Sequence, residues 1–157
     1  MKLKLLICSL LLSTFAFAEE AEKPEPSEPP FEVGAMPMES GYTIKREGAP
    51  DLNFRIVESN MRLYWIDEEG LIMEPEVTTA TIRFEQNTLR ETRFLHQLNR
   101  LPDDAGLGSP YLLRLPHLYI MTLVIEDPKT GEIESHRFRY TPDMDEVKAP
   151  SATTPSS

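Results

Sequence analysis

Three histidines, a closely spaced pair of methionines and two acidic runs are the residues whose types could do chemistry in this chain. His96, His117 and His136 offer imidazole nitrogens, and a zinc or copper centre needs three or four such ligands to converge. A hairpin closed by Asp127–Gly131, with Glu126 facing Glu132, sets His136 opposite about Thr122. His117 then lies about 17 Å away at ~3.4 Å per residue, too far to share an ion. His96 ends one strand and His117 begins the next at the same end of the fold, so these two can approach; strand-end packing also accounts for them. Met36-Pro37-Met38 adds thioethers, which suit Cu(I). A metal-binding reading therefore uses Met36, Met38, His96 and His117, while Met61, Met73 and Met121 read as core filler.

Asp67-Glu68-Glu69 and Asp103-Asp104 fall at one end of an up-and-down sandwich, where carboxylates can meet Ca²⁺. Their spacing carries no ordered ligand pattern, and solvated turns explain them. No Gly-x-Ser-x-Gly, His-Glu-x-x-His or glycine-rich phosphate loop occurs, so a hydrolase is the least favoured reading and no cofactor is expected. The irregular stretch from Asn99 to Pro116 holds the apolar run Tyr111-Leu112-Leu113-Arg114-Leu115. Such a run either covers one end of a core or forms a partner-binding surface through Tyr111, Leu112, Leu113 and Arg114.

The scaffold for these residues follows from the order of segments. Lys2 and Lys4, the apolar run Leu5–Phe15 and the Ala16-Phe17-Ala18 site read as a cleaved signal peptide over 1–18. The run is too short to span a bilayer, which takes about 20 apolar residues. Cys8 is the single cysteine and sits early in that run. The mature chain is then free of thiols and disulfides in an oxidising compartment, periplasmic or secreted. Of the 157 residues, 26 are acidic and 16 basic, for a net charge of −10. That balance argues against nucleic acid and against docking on anionic lipid. No membrane insertion is expected after cleavage.

Residues 19–40 hold seven acids, one lysine and five prolines, the composition of a disordered linker that buries too little surface to offset chain entropy. Residues 142–157 read as a disordered tail. Between them, residues 41–141 alternate with period two. Seven strands are expected at Tyr42–Glu47, Leu52–Glu58, Met61–Asp67, Val77–Phe84, Leu89–Leu98, Leu118–Glu126 and Glu132–Tyr140, with Leu71–Met73 a short strand before Pro75. Leu118–Glu126 is apolar enough to be central, and Leu89–Leu98 also has some helical spacing. The pattern predicts an all-β domain, a seven-stranded antiparallel immunoglobulin-like sandwich.

The strand order over 41–141, with Trp65 in the third strand where such sandwiches bury a tryptophan, resembles the small immunoglobulin-like modules of bacterial export compartments. The inter-sheet cysteine pair of antibody domains is missing. A looser resemblance is to secreted copper-handling sandwiches, which carry His and Met ligands near the mature N-terminus; no histidine stands there in this chain. The first resemblance implies an exported, non-catalytic accessory or protein-interaction module with a protein partner. The second implies a periplasmic metal (copper) binding protein.

Overall fold

The computed structural model describes residues 23–86 and 93–148, with Arg93 described by its backbone alone. The expected signal peptide, the start of Leu89–Leu98 and residues 149–157 lie outside the described residues. The fold is all-β and antiparallel, apart from one short parallel pair. Eleven strands are described: β1 (Pro26–Ser27), β2 (Met36–Pro37), β3 (Tyr42–Ile44), β4 (Asp51–Val57), β5 (Asn60–Ile66), β6 (Ile72–Met73), β7 (Thr79–Gln86), β8 (Arg93–Arg100), β9 (Leu107–Leu112), β10 (Tyr119–Glu126) and β11 (Ile133–Tyr140). A 3₁₀ turn, Pro142–Asp145, follows. Among the described residues no helix is long and apolar enough to cross a membrane.

Period-two alternation builds the core. Leu52, Phe54 and Ile56 of β4, Met61, Leu63 and Trp65 of β5, Ile82 and Phe84 of β7, and Met121, Leu123 and Ile125 of β10 join one buried cluster. Each fully buried side chain of this size contributes roughly 1.5–3 kcal/mol from water exclusion. The sheet runs β11-β10-β7-β8-β9-β5-β4-β3, with β6 on β5. Its two ends curl together across the core. Tyr42 of β3 stacks on Phe138 of β11 at 4.6 Å, and Phe54 meets Tyr140 edge-on at 5.8 Å. Glu58 and Ser59 both take positive φ, 49° and 65°, as a tight two-residue turn between twisted strands demands.

Three sequence expectations change. The Asn99–Pro116 stretch is not all loop, because Leu107–Leu112 forms β9, which bonds to β8 on one side and β5 on the other. Gly106 and Gly108 obscure this strand in the sequence. They are needed because a Cβ on Gly106 would lie 2.7 Å from the Tyr64 ring, and one on Gly108 2.7 Å from an Arg62 guanidinium nitrogen. In the β10–β11 hairpin Glu126 pairs with Ile133, one residue later than Glu132, so His136 faces Leu123.

The third change concerns the linker. Residues 23–40 form a strap over the outer face of β4 and β5. Its backbone is tied by Ala105 N–H to Phe31 O (2.8 Å), Gly34 N–H to Ile72 O (2.8 Å) and Ile72 N–H to Ala35 O (2.8 Å). Phe31 is 2% exposed and makes a second small core with Tyr64, Ile72 and Ala105. Mean composition hides this, because one aromatic anchor and a few backbone bonds hold a segment that is otherwise acidic and proline-rich. The tail begins in the same way: Glu39 and Lys148 exchange backbone hydrogen bonds of 3.1 and 2.8 Å, joining the strap to residues 142–148.

Candidate functional site

The apolar run at the end of β9 divides between inside and outside. Leu113 is buried, and its N–H donates to Ser59 O at 2.8 Å. Tyr111 is half-buried, its ring 4.1 Å from that of His96 and 5.8 Å from that of Phe84. The Tyr119 hydroxyl donates to Arg114 O at 2.6 Å, and burial raises the Tyr119 pKa. Leu112 is left 62% exposed and Leu115 74%, with Arg114 also exposed between them. Of the four residues expected to meet a partner, Leu112 and Arg114 therefore reach solvent, while Tyr111 and Leu113 hold the corner in place.

The four candidate metal ligands fall on three segments, the two methionines together on the strap and the two histidines apart. Met36 lies in β2 and Met38 just after it, both half-buried in the strap. His96 is in β8, stacked on Phe84 at 5.6 Å. His117 is buried before β10, its Nδ1 2.7 Å from Asp145 Oδ2, while its Nε2 is buried without a partner among the described residues. Asp145 also accepts from the Tyr140 hydroxyl at 3.0 Å, and Tyr140 in turn accepts Ile56 N–H at 3.3 Å. Among the described residues no group of three or more His, Cys, Asp or Glu is arranged to hold a metal ion. Asp67 caps its own turn through Glu69 and Leu71 N–H. Asp104 accepts from the Tyr64 hydroxyl at 2.7 Å and from Phe31 N–H at 3.1 Å.

Two arrangements were not foreseen from the sequence. On one rim, Glu76 accepts both the Trp65 indole N–H (3.0 Å) and an Arg46 N–H (2.8 Å). Arg46 also donates to both carboxylate oxygens of Glu134, at 2.9 and 3.1 Å from Nε. Burial opposes the Arg46 charge, but the two carboxylates outweigh it and raise its pKa.

The second arrangement lies beside the strap. Arg55, in the middle of β4, is 3% exposed. Its Nε donates to Asn53 Oδ1 at 2.7 Å and an Nη to Met38 O at 3.3 Å. The guanidinium stands 5.3 Å from the Phe31 ring centre and 5.7 Å from that of Tyr64. Burial lowers the Arg55 pKa, against the opposing fields of Tyr64, Tyr140 and Asp104. Arg55 lines a cleft of about 600 Å³ together with Arg62, Glu28, Glu58, Asp103 and Asp145. An arginine in mid-strand with Asn53 two residues before it was the available signal, since both occupy the face opposite Leu52, Phe54 and Ile56.

No family model, curated protein sequence or solved structure matches the chain.

Proposed function

We propose that the chain is an exported, non-catalytic immunoglobulin-like β-sandwich, processed behind Ala18, that works as an accessory or protein-interaction module. The observation that carries this reading is the corner after β9. Two large aliphatic side chains, Leu112 and Leu115, stand exposed on a segment whose neighbours are fixed by Leu113 burial and by the Tyr119–Arg114 hydrogen bond. An anchored segment meets a partner with little further loss of chain entropy, which favours association. Arg114 between the two leucines adds a planar donor of the kind enriched at interaction hot spots. The immunoglobulin-like assignment draws support from the shared antiparallel core and from Trp65, which is fully buried in β5. It departs from the usual form at β9, which hydrogen-bonds to strands on both sides and makes the sheet continuous.

The test is affinity capture with the mature chain as bait, run beside Leu112→Glu/Leu115→Glu. Both side chains are exposed, so the variant is expected to keep the wild-type melting temperature. A protein retained by the wild type and lost from the variant supports the reading. Identical captured sets, or none, overturn it.

A further inference from the structure

A buried cation is normally matched by a carboxylate, because an unpaired charge away from water costs several kcal/mol. Arg55 departs from that rule. Arg46, Arg62, Arg100 and Lys45 each have a carboxylate partner, yet among the described residues Arg55 forms no ion pair. Its acceptors are an amide oxygen and a backbone carbonyl, and they account for Nε and one Nη. The other Nη has no acceptor among the described residues. Arg55 lines the cleft, where that nitrogen is available to an incoming acceptor. Phe31 and Tyr64 hold the guanidinium plane in place by cation–π contact.

The rim of the same cleft has the opposite sign. Glu58 and Asp103 are exposed there, Asp145 is half-exposed, and none of the three carboxylates forms an ion pair with Lys or Arg among the described residues. One free guanidinium nitrogen of Arg55 and the exposed Glu58 and Asp103 carboxylates on the rim suit a ligand with a carboxylate at one end and an ammonium at the other. A cleft of about 600 Å³ is within the range for small-molecule and short-peptide sites. A simple polyanion fits poorly, because the rim acids outnumber the cations. A divalent metal fits poorly too, because Arg55 occupies the floor.

We propose that the cleft between the strap, β4 and the 142–148 turn binds a zwitterion of the amino-acid or short-peptide class. The ligand carboxylate takes the free Arg55 Nη, and its ammonium faces Glu58 and Asp103. This site is separate from the Leu112–Leu115 corner, and neither depends on the other.

The experiment titrates ¹⁵N-labelled mature protein with the tripeptide Gly-Gly-Lys and, in parallel, with its C-terminal amide. Saturable shifts centred on Arg55, Phe31 and Asp103 are expected with the free acid, and at least tenfold weaker binding with the amide. Arg55→Met, which removes the charge but keeps a long apolar stem, is expected to weaken binding at least tenfold. Asp103→Asn/Glu58→Gln alters exposed side chains only and is expected to weaken it about three- to tenfold. Should Arg55→Met fail to fold, the amide comparison and the rim variant decide the matter. No saturable shift at 10-fold millimolar excess, equal binding of acid and amide, or full binding by a folded Arg55→Met each overturns the proposal.

Discussion

Phe31 meets Tyr64 edge-on, with ring centres 5.0 Å apart and planes at 75°. The contact joins a segment whose composition reads as a linker to the outer face of the sheet. Asp104 reinforces it by accepting from both residues, Phe31 through its N–H and Tyr64 through its hydroxyl. Burial and this carboxylate together push the Tyr64 pKa far upward, so the phenol stays a donor at any ordinary pH.

The first expectation follows from that contact. Phe31→Ala removes the strap's anchor and should cost about 2–4 kcal/mol, at or just below the range for aromatic core deletions. Denaturant unfolding measures the loss. Limited proteolysis should show a resistant fragment beginning ahead of Phe31 in the wild type and near Gly41 in the variant. A change under ~0.5 kcal/mol would mean that the strap behaves as the linker its composition suggests.

Trp65 supports a second expectation. Its indole is fully buried and its N–H is satisfied by Glu76. Trp65→Ala should cost about 3–5 kcal/mol. Glu76→Ala, which leaves that N–H unpaired, should cost about 1–2 kcal/mol, and Glu76→Gln, which keeps an acceptor, less. Chemical denaturation followed by circular dichroism separates the three.

What could be read from the sequence depended on how many faces of a strand are covered. Leu52, Phe54 and Ile56 were legible as core because alternation against Asn53 and Arg55 marks one buried face. The burial of Asn53 and Arg55 on the opposite face has no local signal, because the cover comes from residues 23–40, far away in sequence. β9 was hidden by Gly106 and Gly108, which are there to let backbone approach Tyr64 and Arg62 and which weaken any strand signal. The exposed corner was legible as an apolar run, but not the division that buries Leu113 and exposes Leu112 and Leu115. The rim network of Arg46, Glu76 and Glu134 joins residues from three distant segments, and no local pattern announces it.

Glu134 gives a dependence on pH. Burial opposes its charge, but hydrogen bonds from Arg46 and His136 outweigh burial and hold its pKa below the ordinary 4.5. The folded state thus binds this proton less readily than the unfolded chain. The contribution is complete above pH 4.5 and is lost as pH falls through the lower folded value. Glu134→Gln should therefore flatten the acid limb of the stability curve. Melting temperatures across pH 3–8 check this. A parallel offset at every pH would contradict it.

Tyr140 supplies a fourth expectation. Its hydroxyl accepts Ile56 N–H and donates to Asp145, joining β11 to β4 and to the turn that follows. Tyr140→Phe leaves a buried backbone donor unpaired and should cost about 1–3 kcal/mol. Hydrogen exchange should show faster exchange at the Ile56 amide and in residues 142–148, with the β7–β10 pairing protected as before.

The central claim is that the corner after β9 is where this protein meets a partner. Placing a photo-crosslinking amino acid at position 112, at 115, or at Thr130 in the distant β10–β11 turn, and irradiating cells that produce the chain, tests it most directly. Thr130 is exposed to solvent, as Leu112 and Leu115 are, so exposure alone does not separate the sites. A discrete adduct from 112 and 115, absent from 130, is the expected result. Adducts of equal yield from all three positions, or adducts from 130 alone, would contradict the account.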